Sequence, residues 1–171
     1  RVENTAMAWS LERAVTFELA KRAPEVSGIW QGQIKMHLLQ KWIVRTPPLR
    51  RLQSPKMRGL LLRFEFGYAP AKQELLAFGK QATHGFVLVS GQAQVMQVGM
   101  DGIPRATEQI EPGQSFGFFS VLRKRPCSSA VIMAEGGLVV KLSAQDVGRA
   151  HQEFSEFRDL VEEWMKHSPE R

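Results

Sequence analysis

The sequence predicts a mainly β protein in which helices precede the sheet-forming segment and one long helix follows it. Apolar residues fall at helical spacing before residue 47 and again after residue 143. Between residues 61 and 142 the period drops towards two, and glycines recur at short intervals, as turns between short strands require. The 171 residues are enough for one domain with its own core.

The first 46 residues are predicted to form a helical, basic extension. Two apolar stripes lie on either side of Pro24 and Gly28, with Leu11, Val15 and Leu19 in the first and Ile34, Leu38 and Ile43 in the second. Prolines at positions 47 and 48 end the second helix because proline lacks a backbone N–H. Ser54, followed by Pro55, marks the start of a short third helix.

Seven short strands are predicted after these helices. They cover residues 62–66, 74–78, 86–89, 93–98, 105–110, 130–134 and 138–142. Asp101 followed by Gly102 is a hairpin signal, and Pro112 followed by Gly113 marks a turn. Strands of this length and spacing are typical of a β-sandwich or a barrel.

One long C-terminal helix is predicted over residues 143–167. Ser143 with Asp146 three residues later is an N-terminal capping pattern. The apolar residues alternate at spacings of three and four, and they are Val147, Ala150, Phe154, Phe157, Val161 and Trp164. We expect the first half of the helix to pack on its own domain and leave residues 161–165 open to a partner.

Positive charge is concentrated at the N-terminus. The net charge is +6, and residues 1–60 carry 11 Lys or Arg against 4 Glu. The cations of the basic segment are Lys35, Lys41, Arg45, Arg50, Arg51, Lys56 and Arg58. Such a segment can meet phosphate, anionic lipid or an acidic protein, or it can be a solvated helix face. We predict a protein partner; the cations are spread apart and lack a nucleic-acid-binding motif, which disfavours nucleic acid.

Composition and motifs disfavour several other classes. No apolar run is long enough to span a bilayer, which predicts a soluble protein. Cys127 is the only cysteine, which favours a reducing intracellular compartment. The sequence begins at Arg1 without a secretory signal, and whether Arg1 is a natural terminus stays open.

An enzyme is not predicted. The histidines are His37, His84, His151 and His167, and none has a second histidine at metal-binding spacing. The sequence also lacks a nucleophile elbow, a phosphate-binding glycine loop and a dinucleotide fingerprint. We therefore predict no catalytic residue, no metal and no cofactor.

The middle and end of the chain carry a specific series of glycine motifs. In order, they are Gly79, Phe-Val-Leu-Val-Ser-Gly at 86–91, Asp-Gly at 101–102, Pro-Gly at 112–113 and Phe-Gly at 116–117. Over residues 47–167 this series resembles the cyclic-nucleotide-binding domain of bacterial catabolite regulators and protein kinase A regulatory subunits. The resemblance implies a mainly β fold, an antiparallel β-roll of jelly-roll type over residues 61–142, with N-terminal helices and the long C-terminal helix.

The resemblance fails at the residues that bind ligand in this family. There, a glutamate of the phosphate-binding cassette accepts from the ribose 2′-hydroxyl, and an arginine pairs with the cyclic phosphate. Phe118 stands at the glutamate position after Gly117, and Cys127 stands at the arginine position, with an alignment uncertain by one residue. Losing two charged hydrogen bonds of about 1.5–3 kcal/mol each lowers affinity roughly a hundredfold to ten-thousandfold.

Two functions remain. The first is a non-enzymatic domain of this type that has lost ordinary cAMP and cGMP binding and acts as a structural or protein-interaction module in a larger assembly, through the basic segment, the C-terminal helix or both. The alternative is a ligand-gated sensor that binds a cyclic nucleotide or another phosphate-bearing ligand in a modified pocket. Its candidate residues are Gly117, Phe118, Phe119, Ser120, Arg123, Arg125, Cys127, Ser128 and Ser129.

Overall fold

The computed structural model describes residues 58–61 and 63–166. The two predicted N-terminal helices, the domain boundary at residue 46 and the basic segment up to Lys56 lie outside the described residues. Elements are numbered within the described part of the chain. In order, they are α1 (Arg58–Leu61), β1 (Glu65–Ala69), β2 (Glu74–Leu76), β3 (His84–Leu88), β4 (Gln92–Val98), β5 (Pro104–Ile110), β6 (Ser115–Phe116), α2 (Phe118–Arg123), β7 (Ala130–Glu135), β8 (Gly137–Ser143), α3 (Ala144–Glu153) and α4 (Ser155–Lys166).

The eight strands form two antiparallel sheets. The first has the order β1-β8-β3-β6, and the second has the order β2-β7-β4-β5. In the first sheet Phe86 of β3 pairs with Lys141 of β8 on one side and with Phe116 of β6 on the other. The apolar residues of both sheets form one buried core, which confirms the predicted mainly β, antiparallel β-roll.

The seven predicted strands are present, with some ends displaced. Strand β1 begins at Glu65 rather than at residue 62, because the chain is still turning there and the N–H of Arg63 donates to the carbonyl of Leu60. Strand β6 was not predicted. It has only two residues, too few to show a period of two in the sequence.

The prediction of one long C-terminal helix is wrong. Phe154 has an extended backbone, with φ −123° and ψ 114°, and divides the segment into α3 and α4. The break lets both helices turn an apolar face to the same core, with Val147 on α3 and Phe157 on α4 completely buried. Val161 and Trp164 are buried too, which corrects the expectation that this end of the helix is open to a partner.

Helix α3 begins at the capping pattern that the sequence predicted. The Ser143 hydroxyl accepts from the N–H of Asp146 at 3.1 Å. Substitution of Ser143 by alanine removes this acceptor, and we expect the free energy of unfolding to fall by about 1 kcal/mol. Ser155→Ala is the matched control, because the Ser155 hydroxyl contacts the Glu156 side chain rather than a backbone N–H. Equal losses for the two variants in urea unfolding would contradict this assignment.

Candidate functional site

The segment that resembles the phosphate-binding cassette runs from the end of β6 through α2. Gly117 precedes α2 with φ 83° and ψ −23°, in the left-handed region. Lys124, the residue that follows α2, is also left-handed, and its N–H donates to the carbonyls of Ser120 and Val121. A non-glycine residue in this conformation is uncommon and closes the helix tightly.

Gly117 lies directly against strand β3. A Cβ atom added at Gly117 would stand 2.7 Å from the carbonyl oxygen of His84. Two features therefore require glycine at this position. Its φ is positive, and the neighbouring backbone leaves no room for a side chain. The start of the cassette is thereby fixed to the first residues of β3.

Phe118 joins the cassette to the last helix. Its side chain is only 2% exposed, and its ring lies over Gly85, where an added Cβ would stand 2.5 Å from the ring. The other neighbour is Trp164 of α4, with ring centroids 5.0 Å apart and planes inclined by 47°. Phe118, which the resemblance places at the family's glutamate position, is thus part of the apolar core.

The remaining residues of α2 divide between core and surface. Ser120 is buried, and Phe119 is half-buried with the Arg123 guanidinium 6.0 Å from its ring centroid. Arg123, Lys124 and Arg125 are all exposed. The cations that the sensor hypothesis assigns to phosphate therefore lie at the surface, at the C-terminal end of α2.

The second half of the cassette is fixed to the turn before β3. Pro126 forms an isolated β-bridge with Gln81. The Cys127 N–H donates to the Lys80 carbonyl at 2.8 Å, and the Gly79 N–H donates to the Cys127 carbonyl at 2.9 Å. Cys127 is buried in the core, and the next residue, Ser128, is exposed. The alignment with the family's arginine is uncertain by one residue. The two residues that can stand at that position, Cys127 and Ser128, therefore have opposite environments.

Two buried polar atoms near the cassette have no hydrogen-bond partner within residues 58–61 and 63–166. They are the hydroxyl of Ser129, a residue with no exposed surface, and the indole N–H of Trp164. Buried polar groups are normally paired, so these two atoms are exceptions. Both belong to side chains that otherwise pack in the core.

His84 lies at the junction of the cassette, β3 and α3. Its ring is hydrogen-bonded to the Thr83 hydroxyl at 2.9 Å, and the Thr83 carbonyl accepts from the N–H of Ala144, the first residue of α3. Burial lowers the pKa of His84 below its ordinary value of 6.5, the charge of Lys141 lowers it further, and Glu65 opposes the shift. Because the unfolded ring takes up a proton first, His84 reduces stability as the pH falls below 6.5.

The candidate residues therefore have distinct environments. Gly117, Phe118, Ser120, Cys127 and Ser129 are buried, whereas Arg123, Arg125 and Ser128 are exposed. The sequence did not identify Gly85 and Trp164 as part of this site, because both contact Phe118 from distant parts of the chain. In the described ranges, no group of three or more His, Cys, Asp or Glu is arranged to hold a metal ion. No helix in the same ranges is long and apolar enough to cross a membrane.

The comparisons with known structures give the fold. The regulatory subunit of a cAMP-independent protein kinase A from Trypanosoma brucei is 13% identical, with a TM-score of 0.64, over 76% of this chain and 46% of its own length. A triple variant of that subunit, bound to cAMP in the A site, is 12% identical, with a TM-score of 0.67, over 80% of this chain and 48% of its own length. The catabolite activator protein of Thermus thermophilus is 18% identical, with a TM-score of 0.61, over 70% of this chain and 57% of its own length.

The chain thus spans about half the length of these neighbours. No curated protein sequence matches it. The family model of the cyclic nucleotide-binding domain matches residues 68–154, just over half of the chain, and this range includes the end of β1, strands β2 to β8, the cassette and α3. The match confirms the resemblance that the glycine motifs indicated. The chain belongs to the cyclic nucleotide-binding domain family.

Proposed function

We propose that this chain is a non-enzymatic regulatory module that has lost ordinary cAMP and cGMP recognition and acts by protein contact within a larger assembly. The observation that carries the proposal is the burial of Phe118 at the glutamate position and of Cys127 in the alignment that places it at the arginine position. Phe118 and Cys127 are each 2% exposed and belong to the same apolar core as both sheets.

The chemistry of these two side chains opposes a cyclic nucleotide. A phenyl ring cannot accept a hydrogen bond from a ribose hydroxyl, and a buried thiol cannot neutralise a phosphate. A phosphate moved from water into an apolar site without a cationic partner loses its hydration and gains no ion pair. The cassette fold is retained, and Phe118 and Cys127 bring no charged group into its interior.

The Trypanosoma brucei neighbour gives a parallel. That protein is described as the regulatory subunit of a cAMP-independent kinase, and its cAMP-bound form carries three substitutions, one of which replaces threonine with arginine. This supports the view that a regulatory subunit can retain the fold and function without cAMP. By analogy, the partner of this chain is a protein that it regulates.

Titration calorimetry of the purified chain with cAMP and cGMP tests the loss of binding. We expect no saturable heat up to millimolar ligand, because two charged contacts are missing and the affinity falls by roughly a hundredfold to ten-thousandfold. The Trypanosoma brucei triple variant that is bound to cAMP is the positive control. Saturable binding at micromolar ligand would contradict the proposal.

The sensor alternative is favoured by one observation, the exposed cations beside the cassette. Residues 112–134 contain no acidic residue, and Arg123, Lys124 and Arg125 lie exposed within them. If a nucleotide does bind, the double variant Arg123→Glu, Arg125→Glu tests whether these exposed cations or the rest of the cassette hold its phosphate. Loss of the heat signal assigns phosphate to these cations, and an unchanged signal excludes them.

The proposed contact with a protein partner is tested with the chain expressed in its source cells. We expect the tagged chain in a lysate to elute from gel filtration in a complex well above its monomeric mass. Elution as a monomer under the same conditions would contradict a role in a larger assembly.

A further inference from the structure

Two exposed turns lie side by side on the surface, and we call them together the twin-turn surface. Their members are Phe78, Gly79, Lys80, Gln81, Arg123, Lys124, Arg125 and Pro126, all of which are exposed. The bridge between Gln81 and Pro126, with the two hydrogen bonds between Cys127 and residues 79–80, holds the turns together. The surface is therefore a fixed feature of the fold.

The twin-turn surface is strongly cationic. It carries Lys80, Arg123, Lys124 and Arg125, and neither residues 77–83 nor residues 112–134 contain an acidic residue. The ion pairs within the described ranges join Arg63 to Asp146, Arg105 to Asp101 and Lys141 to Glu65, so none of them neutralises these four cations. A potential attractive to anions follows from their proximity.

An exposed aromatic ring accompanies the cations. Phe78 is 56% exposed and is the second residue after the end of β2. The other large exposed apolar side chains, Val98, Met100 and Ile103, lie at the β4–β5 hairpin, where the local charges Asp101 and Arg105 pair with each other. The combination of an exposed ring with unneutralised cations is therefore confined to the twin-turn surface among the described residues.

We propose that the twin-turn surface binds an anionic lipid bilayer, with Phe78 at the boundary of the headgroups and the four cations against lipid phosphates. The two turns are exposed along their whole length, so they can rest on a flat surface. Aromatic side chains favour the membrane interface, and cations nearby attract anionic headgroups.

Vesicle co-sedimentation of the full 171-residue chain tests this binding. The vesicles contain either phosphatidylcholine alone or phosphatidylcholine with phosphatidylserine. We expect binding to the anionic vesicles only, and weaker binding as salt is raised. Each cation near an anionic surface contributes about 1 kcal/mol, which is about fivefold in the partition coefficient. Arg123→Glu with Arg125→Glu should therefore lower it by about 25-fold or more.

Matched variants separate this surface from the rest of the chain. Lys72→Glu reverses an exposed cation in the turn before β2, and Met100→Ala removes a fully exposed apolar side chain at the β4–β5 hairpin. We expect both to bind like the wild type and Phe78→Ala to bind several-fold more weakly. Thermal unfolding of each variant checks the fold, and the substituted side chains are all exposed.

Three results would overturn the proposal. Failure of the wild type to bind anionic vesicles would exclude the lipid surface. Undiminished binding by the double arginine variant would show that the lipid-binding site lies elsewhere in the chain. Loss of binding with the arginine variant but none with Phe78→Ala, together with full competition by inorganic phosphate or polyglutamate, would identify an acidic ligand in solution instead of a bilayer.

Discussion

Substitution of Phe118 by alanine is expected to lower the free energy of unfolding by about 3–5 kcal/mol, as truncation of a buried Phe does. The ring is 2% exposed and lies between Gly85 of β3 and Trp164 of α4. Its removal therefore leaves a cavity between the cassette, the first sheet and the last helix. Urea unfolding followed by Trp fluorescence measures the loss.

Phe119→Ala is the matched control for this prediction. Phe119 is the next residue of the same helix and is only half-buried, beneath the Arg123 guanidinium. We expect a clearly smaller loss, because less apolar surface returns to water. Similar losses for the two variants would contradict the role of Phe118 as the contact between cassette and α4.

A double-mutant cycle isolates the contact of Phe118 with β3. Gly85→Ala alone forces a methyl group into the Phe118 ring, and overpacking of this kind costs about 1–3 kcal/mol. In the Phe118→Ala background the methyl group has room, so this loss should shrink or vanish. Strictly additive losses would contradict direct contact between the two residues.

The same packing predicts that the family's ligand groups cannot be restored one at a time. A glutamate at position 118 or an arginine at position 127 places a charge in a core position that is 2% exposed. Burial of an unpaired charge is strongly destabilising. We therefore expect each of these two single substitutions to destabilise the fold.

Substitution of Gly117 by alanine is expected to lower the free energy of unfolding by about 2–5 kcal/mol. The positive φ of 83° costs a non-glycine residue about 1–2 kcal/mol. The new methyl group would also stand 2.7 Å from the His84 carbonyl oxygen, and overpacking adds about 1–3 kcal/mol. The carbonyl belongs to a paired strand, so it cannot move aside easily.

Gly102→Ala separates the two contributions. Gly102 has a similar φ of 75°, but an added Cβ at this position meets no atom within 4 Å. We expect only the conformational cost there, about 1–2 kcal/mol. Thermal or urea unfolding of both variants measures the difference, and equal losses would show that the contact with His84 does not constrain the cassette.

Local patterns predicted much of the fold because they depend on neighbouring residues. The hairpin at Asp101 and Gly102 joins β4 to β5, and the Ser143 cap begins α3 as predicted. Strand β6 was missed because two residues carry no period, and the break at Phe154 was missed because the apolar spacing continues through it. The helix turns there so that residues on both sides of the break reach the core.

The sequence by itself determined the family, because the glycine motifs depend only on the order and identity of residues. In the resemblance that these motifs carry, Phe118 and Cys127 stand at the glutamate and arginine positions. Only the tertiary structure decided where the replacements point. Phe118 packs on Gly85 and Trp164, and Cys127 points into the core while Ser128 is exposed. These contacts join residues far apart in the chain, and burial depends on the packing of whole sheets and helices, which no local pattern records.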